Sequence, residues 1–137
     1  MSGSQSRQEG CSQPALPDLL EGIARFNRGE YHPCHEIVEA LWKRTPGPVR
    51  DLYQGIIQLA IALHHTRSGN FAGATAMYEK AIAKLVPLEP ACQGVDVAGL
   101  AAQARAAQSA VAALGAGGLS RFEWSRAPKI SLRDTSV

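Results

Sequence analysis

The stretch VRDLYQGIIQLAIALHHTRS, residues 49–68, decides the fold class of this chain. Successive residues of an α-helix are about 100° apart, so the large apolar side chains of this stretch point in nearly all directions around the axis. A helix that is apolar on all sides is normally surrounded by other helices. We therefore predict a central, buried helix with the rest of the chain packed around it.

Apolar residues spaced three and four apart predict further helices on both sides of this stretch. They cover about residues 17–28, 33–44, 71–86 and 97–114, and Asp96 is placed to cap the last of them. The prediction is a compact all-α bundle of about five helices over residues 15–118. The polar residues 1–14 are expected to be a disordered tail. Residues 119–137 are expected to be an irregular arm packed on the bundle, without strands.

Composition excludes several functional classes. The chain has 137 residues and a formal net charge of +2, and its Lys and Arg residues are dispersed, which argues against nucleic-acid binding. The most apolar run, residues 56–63, is too short to span a bilayer, and the first residues lack the apolar stretch of a signal peptide. Cys11, Cys34 and Cys92 are odd in number and irregularly spaced, which argues against a disulfide framework and predicts a reducing, cytoplasmic location.

Polar residues recur on two of the predicted helices at the border of the core. On the second helix, His35 and Glu39 lie one turn apart; on the third, Gln58 and His65 lie on one stripe. Buried polar groups must find hydrogen-bond partners or lose about 1–3 kcal/mol each. We therefore expect His35, Glu39, Gln58 and His65 to converge in the interior.

Two longer motifs give this cluster a context. The stretch FNRGEYHPCHEIVEALW, residues 26–42, and the stretch QGIIQLAIALHHTRSGNFAGA, residues 54–74, together resemble the signature of domain-of-unknown-function family 309. The resemblance covers about residues 26–85, and residues 128–130 resemble that family's tail. It implies a compact helical bundle but brings no established activity. This chain departs from the pattern at Cys34, where a small residue is usual.

The resemblance also extends the set of candidate site residues. His35 and Glu39 are the catalytic candidates, with His35 as a general base oriented by Glu39. The candidates for ligand binding are Glu36, Trp42, Gln54, Gln58, His65 and Asn70. No nucleophile is evident, because Cys34 points about 100° away from His35 and is expected to be a buried apolar residue.

Several interpretations of the cluster stay open. It is either a hydrogen-bonded network that fixes the register of two helices, or a site. One alternative is a metal-dependent enzyme that binds Zn or Fe through His35, Glu39 and His65, since two imidazoles and a carboxylate leave a position for water. No cofactor other than such a divalent metal is expected.

Another alternative is a protein-interaction module. Residues 29–46 and 69–87 both follow the pattern of the second helix of a tetratricopeptide repeat, although two units are fewer than a free-standing solenoid needs. A groove between helical hairpins would receive a protein or small-molecule partner of unknown identity. The Ala-rich run 101–113 permits close helix approach, which makes a homodimer a further hypothesis.

Overall fold

The computed structural model describes residues 8–133 and contains five α-helices. This confirms the prediction of a compact all-α bundle. The second helix begins at Tyr31, two residues before the predicted start, and keeps Pro33 in its first turn, where a backbone N–H would have no partner within the helix. The helices are α1 (Pro17–Asn27), α2 (Tyr31–Arg44), α3 (Arg50–Arg67), α4 (Phe71–Leu85) and α5 (Val97–Leu114).

The helix α3 is the central one, as the sequence predicts. It packs against α2 on one side and α4 on the other, while α1 covers α2 and α5 covers α4. Ten of its residues are buried, including Leu52, Ile56 and Leu63, which have no exposed surface. At Gly55 a Cβ atom would lie 2.8 Å from Leu85 Cδ2, so α4 approaches α3 closely only because glycine stands there.

Side-chain caps start the last two helices. The Asn70 Oδ1 atom accepts a hydrogen bond of 2.9 Å from Gly73 N, and Asp96 Oδ1 accepts one of 3.0 Å from Gly99 N. Such caps satisfy backbone donors that the first helical turn leaves without partners. The cap that the sequence predicts at Asp96 is therefore present.

A small β-hairpin separates α4 from α5, and the sequence analysis missed it. Its strands β1 (Ala91–Cys92) and β2 (Val95–Asp96) pair antiparallel around a turn in which Gln93 and Gly94 have φ angles of 48° and 79°. A two-residue turn with positive φ at both positions matches the twist of the strands that it joins. Gln93 is buried, and its Oε1 accepts a 2.7 Å hydrogen bond from Tyr53 OH on α3.

Both ends of the described chain meet at this hairpin. Cys11 and Cys92 form a disulfide, so the expectation of a chain without a disulfide framework is wrong; their separation of 81 positions hid the pairing. Residues 1–7 of the predicted tail lie outside the described residues, and from Gln8 onward the chain forms turns fixed to the hairpin. At the other end Leu132 makes an antiparallel bridge to Val95, which corrects the expectation of an arm without strand pairing.

The first and last parts of the bundle are joined by one amide side chain. Asn27, at the end of α1, donates to Ile130 O at 2.9 Å and accepts from Ile130 N at 2.7 Å. Lys129 Nζ adds a bond of 2.9 Å to Asn27 O. These bonds hold the C-terminal arm in place, and Phe122, Ala127 and Ile130 of the arm are buried.

None of the helices within residues 8–133 combines the length and the apolar character needed to cross a membrane.

Candidate functional site

The motif residues of α2 form a half-buried edge of that helix. His35 Nε2 lies 3.7 Å from Glu39 Oε2, one turn further on, and the two side chains are 29% and 44% exposed. Glu36 projects further outward, 3.6 Å from His32 Nε2, in a pair that is about two-thirds exposed. His35 and Glu39 therefore form the predicted imidazole–carboxylate pair, whereas Glu36 belongs to the solvent-facing surface.

Trp42 ends this edge and joins it to α3. The guanidinium carbon of Arg50 lies 4.3 Å from the centre of the Trp42 ring, a cation–π contact. Arg50 Nε also donates a long hydrogen bond of 3.4 Å to Trp42 O. Trp42 is consequently half-buried and fixed at the closed end of the α2–α3 hairpin.

Gln58 on α3 carries a hydrogen-bonding atom without a partner. Its Oε1 is buried and accepts no hydrogen bond. Within residues 8–133 it is the only buried side-chain N or O atom that has no hydrogen-bond partner. Leaving a buried polar atom unpaired costs about 1–3 kcal/mol. Gln54, one turn earlier, is half-buried on the same stripe. The folded chain thus keeps at Gln58 an acceptor that its own groups do not use.

His65 is engaged at the corner between α3 and α4 instead. Its Nδ1 lies 3.3 Å from Asn70 Nδ2, and its Cδ2 lies 2.9 Å from the place where a Cβ at position 73 would be. Asn70 is also the cap of α4, and Gly73 leaves room for both neighbours. His65, Asn70 and Gly73 of the second motif therefore pack together where α3 ends and α4 begins.

The four predicted residues do not converge in one hydrogen-bonded cluster. His35 pairs with Glu39, His65 pairs with Asn70, and Gln58 bonds to neither pair. The prediction of convergence is wrong because each histidine finds its partner within its own helix or turn. Across residues 8–133 no three His, Cys, Asp or Glu side chains lie close enough to hold a metal ion. His35, Glu39 and His65 accordingly do not form the ligand set of the metal hypothesis.

Most of the motif residues share a half-buried position on three neighbouring helices. On each helix they lie within an arc of about 60°, and all of them are half-buried. We call this surface the motif face and define it by His35, Glu39 and Trp42 of α2, Gln54, Gln58, Ile61 and His65 of α3, and Gly73, Met77 and Lys84 of α4.

Two neighbouring residues of α3 show how the motif face is assembled. Arg50 stacks on Trp42 of α2, while the next residue, Asp51, lies 3.5 Å from Lys84 Nζ of α4. The stripe of α3 runs between these two contacts and so lies between α2 and α4. Its residues 54–65 extend over about 16 Å at 1.5 Å per residue. The motif face is therefore a shallow strip with α3 as its floor.

Cys34 is not part of this surface. Its side chain has no exposed area, and burial raises the pKa of the Cys34 thiol to about 12. A thiol that stays protonated at neutral pH is a poor nucleophile. The expectation of a buried apolar cysteine is met, and nucleophilic catalysis through this residue is disfavoured.

The sequence analysis missed a second group of charged and aromatic residues. Arg67, at the end of α3, lies with its guanidinium carbon 4.7 Å from the centre of the Tyr31 ring and 5.2 Å from that of the Trp124 ring. Trp124 in the C-terminal arm was a usable signal, because a large aromatic outside the helical pattern is expected to pack against other rings; it contacts Phe122 of the same arm with 4.8 Å between ring centres. Its partner on α3, about 57 positions earlier, could not be identified from periodicity.

Comparison with known proteins finds a family model that is similar to part of the chain. Residues 19–77 match the family model described as Domain of unknown function (DUF309), which confirms the resemblance drawn from the two motifs. This segment runs from α1 to α4 and contains all residues of the motif face except Lys84. The hairpin, α5 and the C-terminal arm lie outside the matched segment.

Two curated relatives match shorter or more divergent segments. The uncharacterized protein YpuF of Bacillus subtilis (strain 168) is 46% identical over 54 residues, which are 39% of this chain and 31% of the relative. An uncharacterized protein of Aquifex aeolicus (strain VF5) is 26% identical over 80 residues, 58% of this chain and 24% of the relative. The matches thus span a third or less of the relatives' length. No solved structure matches the chain. The family and both relatives leave the function unknown.

Proposed function

We propose that this chain, whose residues 19–77 carry the DUF309 domain, is a protein-interaction module and that the motif face receives an extended or helical segment of a partner protein. The observation that carries the proposal is the buried, unpaired Oε1 atom of Gln58. Gln58 as a whole is half-buried, so a rotation of its amide would bring Oε1 to the motif face. A hydrogen bond donated there by a partner would remove a cost that the free protein bears.

The shape of the motif face favours a protein segment over a small molecule. Small-molecule sites are usually concave and enclose most of the ligand, whereas the motif face is a strip of half-exposed side chains about 16 Å long. It combines apolar contact from Trp42, Ile61 and Met77 with the polar pair His35–Glu39. Such a mixture is typical of surfaces that bind peptide segments in grooves between helices.

An enzyme is less well supported by the same geometry. Cys34 is not an activated nucleophile, and the described residues offer a divalent metal only two-residue pairs such as His35–Glu39 and His32–Glu36, without a third ligand. The two relatives are uncharacterized and add no support to catalysis or to a tetratricopeptide repeat. Metal binding therefore forms no part of the proposal.

A cytoplasmic location is also a proposal, and it has a consequence for the disulfide. In a reducing compartment Cys11 and Cys92 would be thiols for much of the time. The motif face contains neither cysteine, so its assembly does not depend on the oxidation state.

The proposal is tested by placing a photoreactive residue at position 54 of the motif face and, as a matched control, at the exposed position 21 of α1. A partner crosslinked from position 54 but not from position 21 is then purified, and its affinity is measured for the wild type and for Gln58→Leu. We expect Gln58→Leu to weaken binding by about 10-fold, the effect of one lost hydrogen bond of about 1.4 kcal/mol.

The stability of the free protein separates binding from folding. Gln58→Leu removes the unpaired acceptor, so the free energy of unfolding should rise by about 1 kcal/mol. Gln54→Leu, a half-exposed neighbour on the same stripe, should change it by less than about 0.5 kcal/mol. A variant that is more stable and binds the crosslinked partner as tightly as the wild type would refute the proposed role of Gln58. Equal crosslinking from both positions would refute the motif face as the interface.

A further inference from the structure

A separate cleft lies where α1, α2 and the C-terminal arm meet at the end of α3. It has a volume of about 290 Å³ and shares no residue with the motif face. The eight residues that line it include Arg28, Gly29, Tyr31, Arg67, Trp124 and Lys129. Three of these eight residues are cationic and none is acidic, so the lining itself carries a positive formal charge.

Two of the three cations have no acidic partner in the described residues. Arg28 pairs with Glu30 at 3.3 Å. Arg67 donates only from Nη2, to Gly29 O at 2.8 Å, and Lys129 Nζ bonds only to Asn27 O at 2.9 Å. The Nε and Nη1 donors of Arg67 and two hydrogens of the Lys129 ammonium group are thus available to a ligand.

The aromatic rings fix the arginine and supply an apolar wall. The Tyr31 and Trp124 ring centres are 6.3 Å apart, and the guanidinium of Arg67 lies against both rings. An arginine held in this way loses little side-chain freedom on binding, and its planar fork suits a carboxylate or a phosphate. Trp124 remains 36% exposed, which leaves part of its ring for a ligand to contact.

The backbone around the cleft is held rigidly enough to keep this arrangement. Asn27 binds both backbone groups of Ile130, next to Lys129. Gly29 has a φ angle of 78°, and a Cβ there would lie 3.2 Å from Arg67 Nη2, so glycine lets the arginine reach the backbone. The cations are therefore positioned before any ligand arrives, which lowers the entropic cost of binding.

We propose that this cleft binds a small organic anion, with its carboxylate or phosphate group between Arg67 and Lys129 and its apolar part against Trp124. The charge of the lining selects an anion, and the exposed indole selects one with an apolar or planar group. A cleft of about 290 Å³ is at the lower end of the range for ligand sites, which restricts the ligand to a small molecule.

Fluorescence of Trp124 tests the proposal directly. The Trp42→Phe variant keeps Trp124 as its one tryptophan. This variant is titrated with benzoate and with phenyl phosphate at constant ionic strength. We expect a saturable change in Trp124 fluorescence with at least one of these probes. The probe that binds more tightly identifies the preferred anionic group. Benzamide, which has the shape of benzoate without its charge, should produce no saturable change.

Variants locate the anion. Lys129→Gln leaves the aromatic stack intact and should weaken binding of the active probe by at least 5-fold; Arg67→Gln should weaken it by at least 10-fold. Arg126→Gln, on the same arm but 80% exposed and paired with Glu123, should have no effect. Absence of saturation with both probes, equal binding of benzamide, or unchanged binding by Lys129→Gln would each overturn the proposal. Lys129→Gln gives up one exposed hydrogen bond, to Asn27 O, and no packed side chain.

Discussion

The Cys11–Cys92 disulfide should supply a large part of the stability of this domain. It closes a loop with a sequence separation of 81 residues. In the chain-entropy model such a crosslink restricts the unfolded chain by about 15 cal/mol/K, which corresponds to about 4.5 kcal/mol at 25 °C. Reduction should lower the free energy of unfolding by an amount approaching this value.

The expected loss in the free energy of unfolding predicts a shift in melting temperature. For 137 residues the entropy of unfolding near the midpoint is about 290 cal/mol/K. A loss of about 4.5 kcal/mol therefore lowers Tm by about 15 °C. The shift is measured by circular dichroism in the presence and absence of a dithiol reductant, with free thiols counted in denaturant. One titratable thiol is expected before reduction and three after it, since Cys34 is free throughout.

Variants provide the controls for this prediction. Cys34→Ala should keep the full response to reductant, whereas Cys11→Ala/Cys92→Ala should melt near the reduced wild type and show no response. A fully reduced protein whose Tm falls by less than about 3 °C would refute the loop-closure argument. In that case the remaining bonds of the N-terminal arm, such as the 2.7 Å bond from Gln93 N to Cys11 O, would be sufficient to hold it.

Two further predictions concern hydrogen bonds, one set buried at Thr66 and one set part-buried at Asn27. Thr66 Oγ1 donates to Ala62 O at 2.9 Å and lies 2.9 Å from Tyr78 OH, so the tyrosine is the donor in that pair. Thr66→Val should therefore lower the free energy of unfolding by about 1–3 kcal/mol, because it leaves the buried Tyr78 OH without an acceptor. Tyr78→Phe should lower it by only about 1 kcal/mol. Equal losses for the two variants in urea denaturation would contradict the assignment of Tyr78 as the donor. Asn27→Ala should lower the free energy of unfolding by about 2 kcal/mol through the loss of two bonds to Ile130. It should also accelerate amide hydrogen exchange at Ile130 but not at Leu63 of α3, and unchanged exchange at Ile130 would show that the arm is held by other contacts.

The helical part of the fold was predictable because its signals are local. The all-round apolar pattern of residues 49–68 requires neighbouring helices, and prolines and glycines mark where the helices end. The five helices accordingly lie within two residues of their predicted bounds. Asp96 was recognisable as a cap because its effect extends only three residues along the chain.

The features that were missed depend on residues far apart in sequence. Cys11 meets Cys92, Tyr53 meets Gln93, and Asn27 meets Ile130, and no periodicity links the members of these pairs. Gln93 is a buried polar residue with positive φ, and only the hairpin turn and the bond to Tyr53 account for it.

The candidate site was predicted in part. Helical spacing correctly placed the motif residues on the half-buried borders of α2 and α3, and it gave the His35–Glu39 pair. It did not reveal that His65 turns to Asn70 at the α3–α4 corner. The position of a residue around a helix defines the direction of its side chain. The partner of His65 depends in addition on the cap residue at the start of α4, which helical spacing does not give.

The bond between Asn27 and Ile130 has a consequence for how the chain folds during its synthesis. Chains emerge from the ribosome with the N-terminal end first, so α1 to α4 are available for packing well before residue 130 is made. Until then the Asn27 amide faces water, and the cationic cleft beside it lacks Trp124 and Lys129. Ligand binding at that cleft would thus report on a chain whose synthesis has passed residue 130.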